Sequence, residues 1–182
     1  MNTSIEMLNN LKSDNSSVNS AVKIAVKRMT ENKMTEKAQK CITSFLQVAS
    51  KSNIKFDATI VSKNVYAVEK CRKIVQALTL KNAAYLDKYT QAICINMIKR
   101  KTTKTLSNAE FNASLCASIE CDSMQATMTK LHKAESTART QASSTRLALH
   151  HFDIAAHNVS EKSSSFNDTK IQQDFVALFT KK

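Results

Sequence analysis

The chain contains no glycine and no proline in 182 residues. Average usage would give roughly 13 and 9 of them. The joint absence excludes a Walker-A loop, a G-x-G-x-x-G fingerprint and a G-x-S-x-G elbow, each of which needs glycine for close backbone approach or unusual φ. Type II, I′ and II′ turns lose their preferred residue, so a hairpin-rich β fold is disfavoured. Tryptophan is also absent and aromatics make up only 5%, which leaves a core of Ala, Val, Ile, Leu and Met between helices. No long apolar run exists. The longest, around residues 92–98, is interrupted by Asn96 and far too short to cross a bilayer. The first residues are polar and lack the apolar centre of a secretion signal. The expected class is therefore all-α: a bundle of roughly six to eight helices with no membrane segment.

Five cysteines are present, Cys41, Cys71, Cys94, Cys116 and Cys121. The number is odd and no pair has C-x-x-C spacing, which fits free, mostly buried thiols in a reducing, cytoplasmic compartment. With glycine missing, asparagine is the residue that best tolerates a left-handed conformation, and Asn32, Asn53 and Asn82 fall where helix C-caps are expected.

Charge is abundant but lopsided. The net charge is +12, and residues 1–104 hold 19 Lys/Arg against 7 Asp/Glu, whereas residues 105–182 hold 8 of each. The chain thus divides into a basic part, 1–104, and a neutral part, 105–182, read as one continuous domain. An asymmetry of this kind points to a polyanionic partner for the first part, or to a solvated surface that keeps the chain dispersed. Helical spacing sets out the basic residues in stripes. Lys23 and Lys27 share one face; Lys33, Lys37 and Lys40 another; Lys63, Lys70 and Lys73, with Arg72 adjacent, a third. Lys99, Arg100, Lys101 and Lys104 form a run that reads as an exposed loop. Such a surface would neutralise phosphates or carboxylates without reading base sequence, because lysine dominates over arginine.

Apolar periodicity predicts helices near 3–12, 17–30, 34–51, 60–80, 83–101 and 108–120, with Ser107 and Glu110 at capping-box spacing before the last. Ile54, Phe56, Ala58 and Ile60 alternate with polar residues and predict an extended linker. The most regular pattern runs from 122 to 161. Met124, Met128, Leu131, Ala138, Ala142, Leu149, Phe152, Ala156 and Val159 step by fours and threes, with Glu135 and Thr145 as polar exceptions. This a/d pattern predicts one long helix of about 54 Å whose seam packs inside the bundle or pairs with another chain. A last helix near 168–180 follows the serines at 163–165.

Little supports catalysis or a cofactor. His150, Asp153 and His157 would share a helical face, but on outer heptad positions, and no Glu has a His three residues later as di-metal bundles require. No metal and no cofactor is expected. The sequence therefore predicts a non-catalytic assembly or scaffold-type binding protein. Its basic part docks on an acidic surface and its long helix mediates homo-oligomers or attachment to a larger complex. By fold-level analogy such chains suit viral shells or multi-subunit ribonucleoproteins. The alternative is a sequence-nonspecific nucleic-acid-binding protein.

Overall fold

The computed structural model describes residues 2–11, 16–31, 33–100, 105–119, 121, 131 and 134–180. Helix takes 68% of them. In chain order the helices are α1 (Asn2–Asn9), α2 (Ser16–Thr30), α3 (Glu36–Ser50), α4 (Val65–Leu80), α5 (Lys88–Lys99), α6 (Asn108–Ala113), α7 (Glu135–His151) and α8 (Lys170–Thr180). A 3-10 turn, Ala58–Ser62, follows the extended residues 54–57 and seats α2 against it. The starts of α3, α4 and α5 are each capped by a short polar side chain, whereas α7 begins after Ala134 with no side-chain cap. Thr35 accepts from the Ala38 amide, Asn64 from Ala67, and Asp87 from Tyr89 and Thr90. The capping box at Ser107 and Glu110 forms in both directions. Ser107→Ala is expected to lower the unfolding free energy by about 1 kcal/mol in urea titration, with an unchanged m-value.

The fold is mostly helical rather than all-α. Three short strands, β1 (Thr105–Ser107), β2 (Ala155–Asn158) and β3 (Ser163–Phe166), form an antiparallel sheet in the order β1-β3-β2. The β2–β3 hairpin turns without glycine. Asn158 Oδ1 accepts from the amides of Ser160 and Glu161, and Lys162 takes the left-handed position at φ 50°.

The predicted long helix over 122–161 is corrected. Met124 and Met128 lie outside the described residues, and the helix they would join runs only from Glu135 to His151. Its end is a Schellman closure: the Ile154 amide bonds the Leu149 carbonyl, the Asp153 amide bonds His150, and Asp153 sits at φ 54°. Ile154 and Leu149 are both fully buried, which supplies the hydrophobic contact of that motif. Ala156 and Val159 therefore belong to the hairpin, and Val159 is 77% exposed.

The seam itself faces inward. Ala138, Ala142, Thr145, Leu149 and Phe152 are buried beneath α4, α5 and α6, and Leu131 lies half-buried against the same core. Small residues at 138, 142 and 145 let neighbouring helices approach closely. The chain's own helices fill this surface from Ala138 to Phe152.

Asparagine does not supply the αL closure of α4. Lys81 takes it at φ 51°, with the Asn82 amide bonding Ala77, while Asn82 instead caps the short turn Ala83–Tyr85. α3 ends on Lys51 in a right-handed conformation, so Asn53 closes no helix, and Asn32 lies outside the described residues.

Candidate polyanion-docking face

α3 and α4 lie side by side and pack extensively against each other. The Thr35 cap fixes the start of α3, with Lys37 and Lys40 on its outer face. The Asn64 cap fixes the start of α4 and is itself tied to α7, since Ser144 Oγ donates to Asn64 Oδ1 at 3.3 Å. Between the two helices is a shallow pocket of about 440 Å³, lined chiefly by Lys37, Lys40, Cys41, Tyr66, Glu69 and Arg72. Tyr66 is 47% exposed at its edge.

Glu69 is the pocket's carboxylate, and it is already engaged. Arg72 donates to it through Nε at 2.9 Å and Nη2 at 2.6 Å, Cys41 Sγ donates at 3.5 Å, and Lys73 Nζ stands at 3.9 Å. Burial alone would raise the Glu69 pKa, but the bonds and charge of Arg72, with Cys41 and Lys73, carry it below the ordinary carboxylate value. Burial, reinforced by the charge of Glu69, pushes the Cys41 thiol up to about 12, so its thiolate is disfavoured. Cys71 and Cys94 are raised by burial in the same way.

No known protein family, curated protein or solved structure matches this chain. Its surface is therefore read from its own residues.

Those residues divide sharply. Lys23, Lys37 and Lys63 are exposed and make no ion pair among the described residues. Lys27 and Lys33 share Glu31 at 3.8 and 2.7 Å, and Lys40 pairs with Glu36 at 2.5 Å. All of these are solvent-exposed pairs that a partner could replace at small cost. Lys70 does not belong to the face at all. It is 3% exposed, with Nζ 2.7 Å from Asp87 Oδ1 and 3.3 Å from Thr90 Oγ1. Arg100 is half-buried and paired with the buried Glu110, and Lys99 ends α5 at the surface. Lys101 and Lys104 lie outside the described residues. The structure thus gathers Lys37, Lys40 and Arg72 around one concavity and removes Lys70 and Arg100 from it.

The predicted helical face of His150, Asp153 and His157 also dissolves. Asp153 closes α7, and His157 is a β2 residue whose Nδ1 lies 2.8 Å from the Ser163 carbonyl.

Sequence reasoning missed three lysines, Lys51, Lys55 and Lys81, which border a larger groove on another side of α4. They follow no helical stripe: Lys51 ends α3, Lys55 lies in the extended segment and Lys81 sits in the αL closure. Local periodicity carries no signal for them.

Proposed function

We propose that this is a non-catalytic binding protein that docks the α3–α4 face on an acidic protein surface, as one component of a larger assembly. The observation that carries this reading is the pocket rimmed by Lys37, Lys40 and Arg72, whose own carboxylate is already committed. Rim charges of this kind steer encounter and set partner choice more than they add raw affinity. The reading needs no cofactor and no catalytic residue. It differs from the sequence expectation in one respect: the α7 seam is filled from within, so association relies on the basic face rather than on helix pairing. A single observation favours the nucleic-acid alternative. Tyr66 stands exposed among lysines, as a base-stacking side chain would.

A fluorescence-anisotropy titration separates the two. Labelled polyglutamate and labelled single- and double-stranded DNA and RNA would be compared at about 50 and 200 mM salt. The expected result is binding of polyglutamate, weakened about tenfold or more by Lys37→Glu with Lys40→Glu, mostly through a slower on-rate. Both side chains are exposed, so the double variant should fold. Preferential nucleic-acid binding, falling about 10³-fold or more across that salt range, would put the alternative first. No binding of either polymer at low salt would sink both.

A further inference from the structure

We propose that the larger groove is a binding site for an amphipathic anion: an apolar chain or ring bearing one carboxylate or phosphate. The groove has a volume of about 960 Å³ and runs between residues 51–57, the end of α4, the end of α7 and α8. That is the upper range of small-molecule sites. Its walls are apolar where the elements meet, with Phe56, Leu78, Phe152, Ile171 and Leu178 among the lining residues. Phe56 is held by an edge-to-face contact with the buried Phe45, ring centroids 5.0 Å apart. Ile171 and Leu178 pack against the core yet remain half-exposed, so an apolar occupant would cover surface that α8 leaves wet.

The charges in the groove are not symmetrical in what they have left to offer. All three carboxylates are engaged. Asp57 accepts from the Thr59 amide at 2.8 Å, Asp153 from Asn167 Nδ2 at 2.5 Å, and Asp174 from Lys170 Nζ at 2.8 Å. Lys51, Lys55 and Lys81 are exposed and make no ion pair among the described residues. Asp57 and Asp153 keep their charge, but four lysines face three carboxylates, so the groove is positive by one charge beside its apolar walls. Lys81 is further fixed by its αL backbone at φ 51° and by the amide bonds that close α4. The turn therefore sets the point from which the Lys81 side chain reaches an anion.

Calorimetric and NMR titrations of the whole chain with dodecanoate, kept below its micelle concentration, test this. Dodecyl phosphate, dodecanol and dodecyltrimethylammonium serve as comparisons. The expected result is one-to-one binding of dodecanoate, with amide shifts at 51–57, 78–81 and 170–178. Each methylene removed should weaken it about fourfold. Lys51→Gln, Lys55→Gln and Lys81→Gln together should weaken the anion about tenfold or more and leave dodecanol unchanged. All three side chains are exposed, so loss of folding is not a confounding outcome. Tighter binding of dodecyl phosphate than of dodecanoate would identify a phosphate head, and the reverse a carboxylate; both support the site. The proposal fails if no ligand binds. It also fails if dodecyltrimethylammonium binds as well as dodecanoate, or if the shifts gather at Lys37 and Tyr66. That last outcome would bear on the docking face instead, so the two readings can fail separately.

Discussion

Lys70→Met should destabilise the fold by about 3 kcal/mol, toward the lower end of the range for breaking a buried ion pair. The ammonium is 3% exposed and the Asp87 side chain 13%. Truncating the cation strands a carboxylate that water barely reaches. Part of that carboxylate remains satisfied, because Asp87 still accepts from the amides of Tyr89 and Thr90 and from Thr90 Oγ1; hence the lower end. Lys70 Nζ also stands 5.4 Å from the Tyr89 ring centroid, and the attraction between cation and ring disappears with the charge. Adding Asp87→Asn should recover most of the loss. The amide oxygen can still cap α5, and no uncompensated charge stays buried. Urea titration of wild type, both single variants and the double variant closes the cycle. A loss below about 1 kcal/mol in Lys70→Met would mean that solvent screens the pair as it does at a surface.

The pH dependence has a defined sign. Burial acts to raise the Asp87 pKa, but the charge and hydrogen bond of Lys70, with Thr90, hold it below the ordinary 3.8. A depressed carboxylate pKa contributes stability that is present above the unfolded value and lost as pH falls through the folded one. Without Lys70, burial dominates and the carboxyl shifts upward. The gap between wild type and Lys70→Met should therefore narrow as pH is lowered below about 5.

Lys70 also marks where the sequence could and could not be read. Its spacing from Lys63 and Lys73 looks like a basic stripe. Yet it sits three residues after Ala67 and four before Ile74, both fully buried, so it borders the apolar face as closely as the basic one. Which side wins depends on Asp87, a helix away, and no periodicity contains that. The cap at Ser107 was legible because a cap acts within three residues; those at Asn64 and Asp87 went unread. The inward face of α7 was legible as a stripe, but its partner was not: Ala142 packs equally well on this chain or another. Unreadable altogether was the end of α7. Without glycine, the closure falls on Asp153, and the heptad step continues in phase through Ala156 and Val159 although the backbone has already turned into β2. The sheet was hidden for a similar reason. Ser163, Ser164 and Ser165 read as a polar break, yet Ser164 is 2% exposed and pairs with Leu106 and His157 on the two flanking strands. The groove lysines are gathered only by tertiary contacts between the end of α4, the 51–57 segment and α8.

His151 gives the clearest pH signature. It lies in the last turn of α7, its ring 4.9 Å from that of Phe152 and nearly perpendicular to it, and its buried Nε2 has no hydrogen-bond partner among the described residues. A helix C-terminus favours the protonated ring by about 0.3–1 kcal/mol. Burial overrides this and, with His150 adding to it and Asp57 opposing, lowers the pKa from 6.5 to about 4. The other titratable groups bordering the groove are Asp153, Asp174, Lys51, Lys55, Lys81 and Lys170. Above pH 6.5 the ring is neutral in both folded and unfolded chains. Between 6.5 and about 4 only the unfolded chain takes up the proton, so stability falls as pH falls. The full window corresponds to about 3 kcal/mol, or about 2 once the ring's partial exposure to the groove is allowed for. Glu36, Glu69 and Asp87 are all held below their ordinary values and act mainly at the acid end of this window and below it. His151→Phe keeps an aromatic ring against Phe152, removes the orphaned nitrogen and abolishes the proton. It should equal or exceed wild type at pH 7.5, since deleting an unpaired buried polar atom relieves about 1 kcal/mol or more. The advantage should grow by about 1.5 kcal/mol as pH falls to 5. Urea titrations at pH 7.5, 6 and 5 measure it directly. If wild type and His151→Phe keep a constant difference across that range, the ring is not held neutral in the fold. A difference whose slope approaches about 1.4 kcal/mol per pH unit, that of one proton, assigns the mid-range acid sensitivity of this fold to a single half-buried imidazole at the groove.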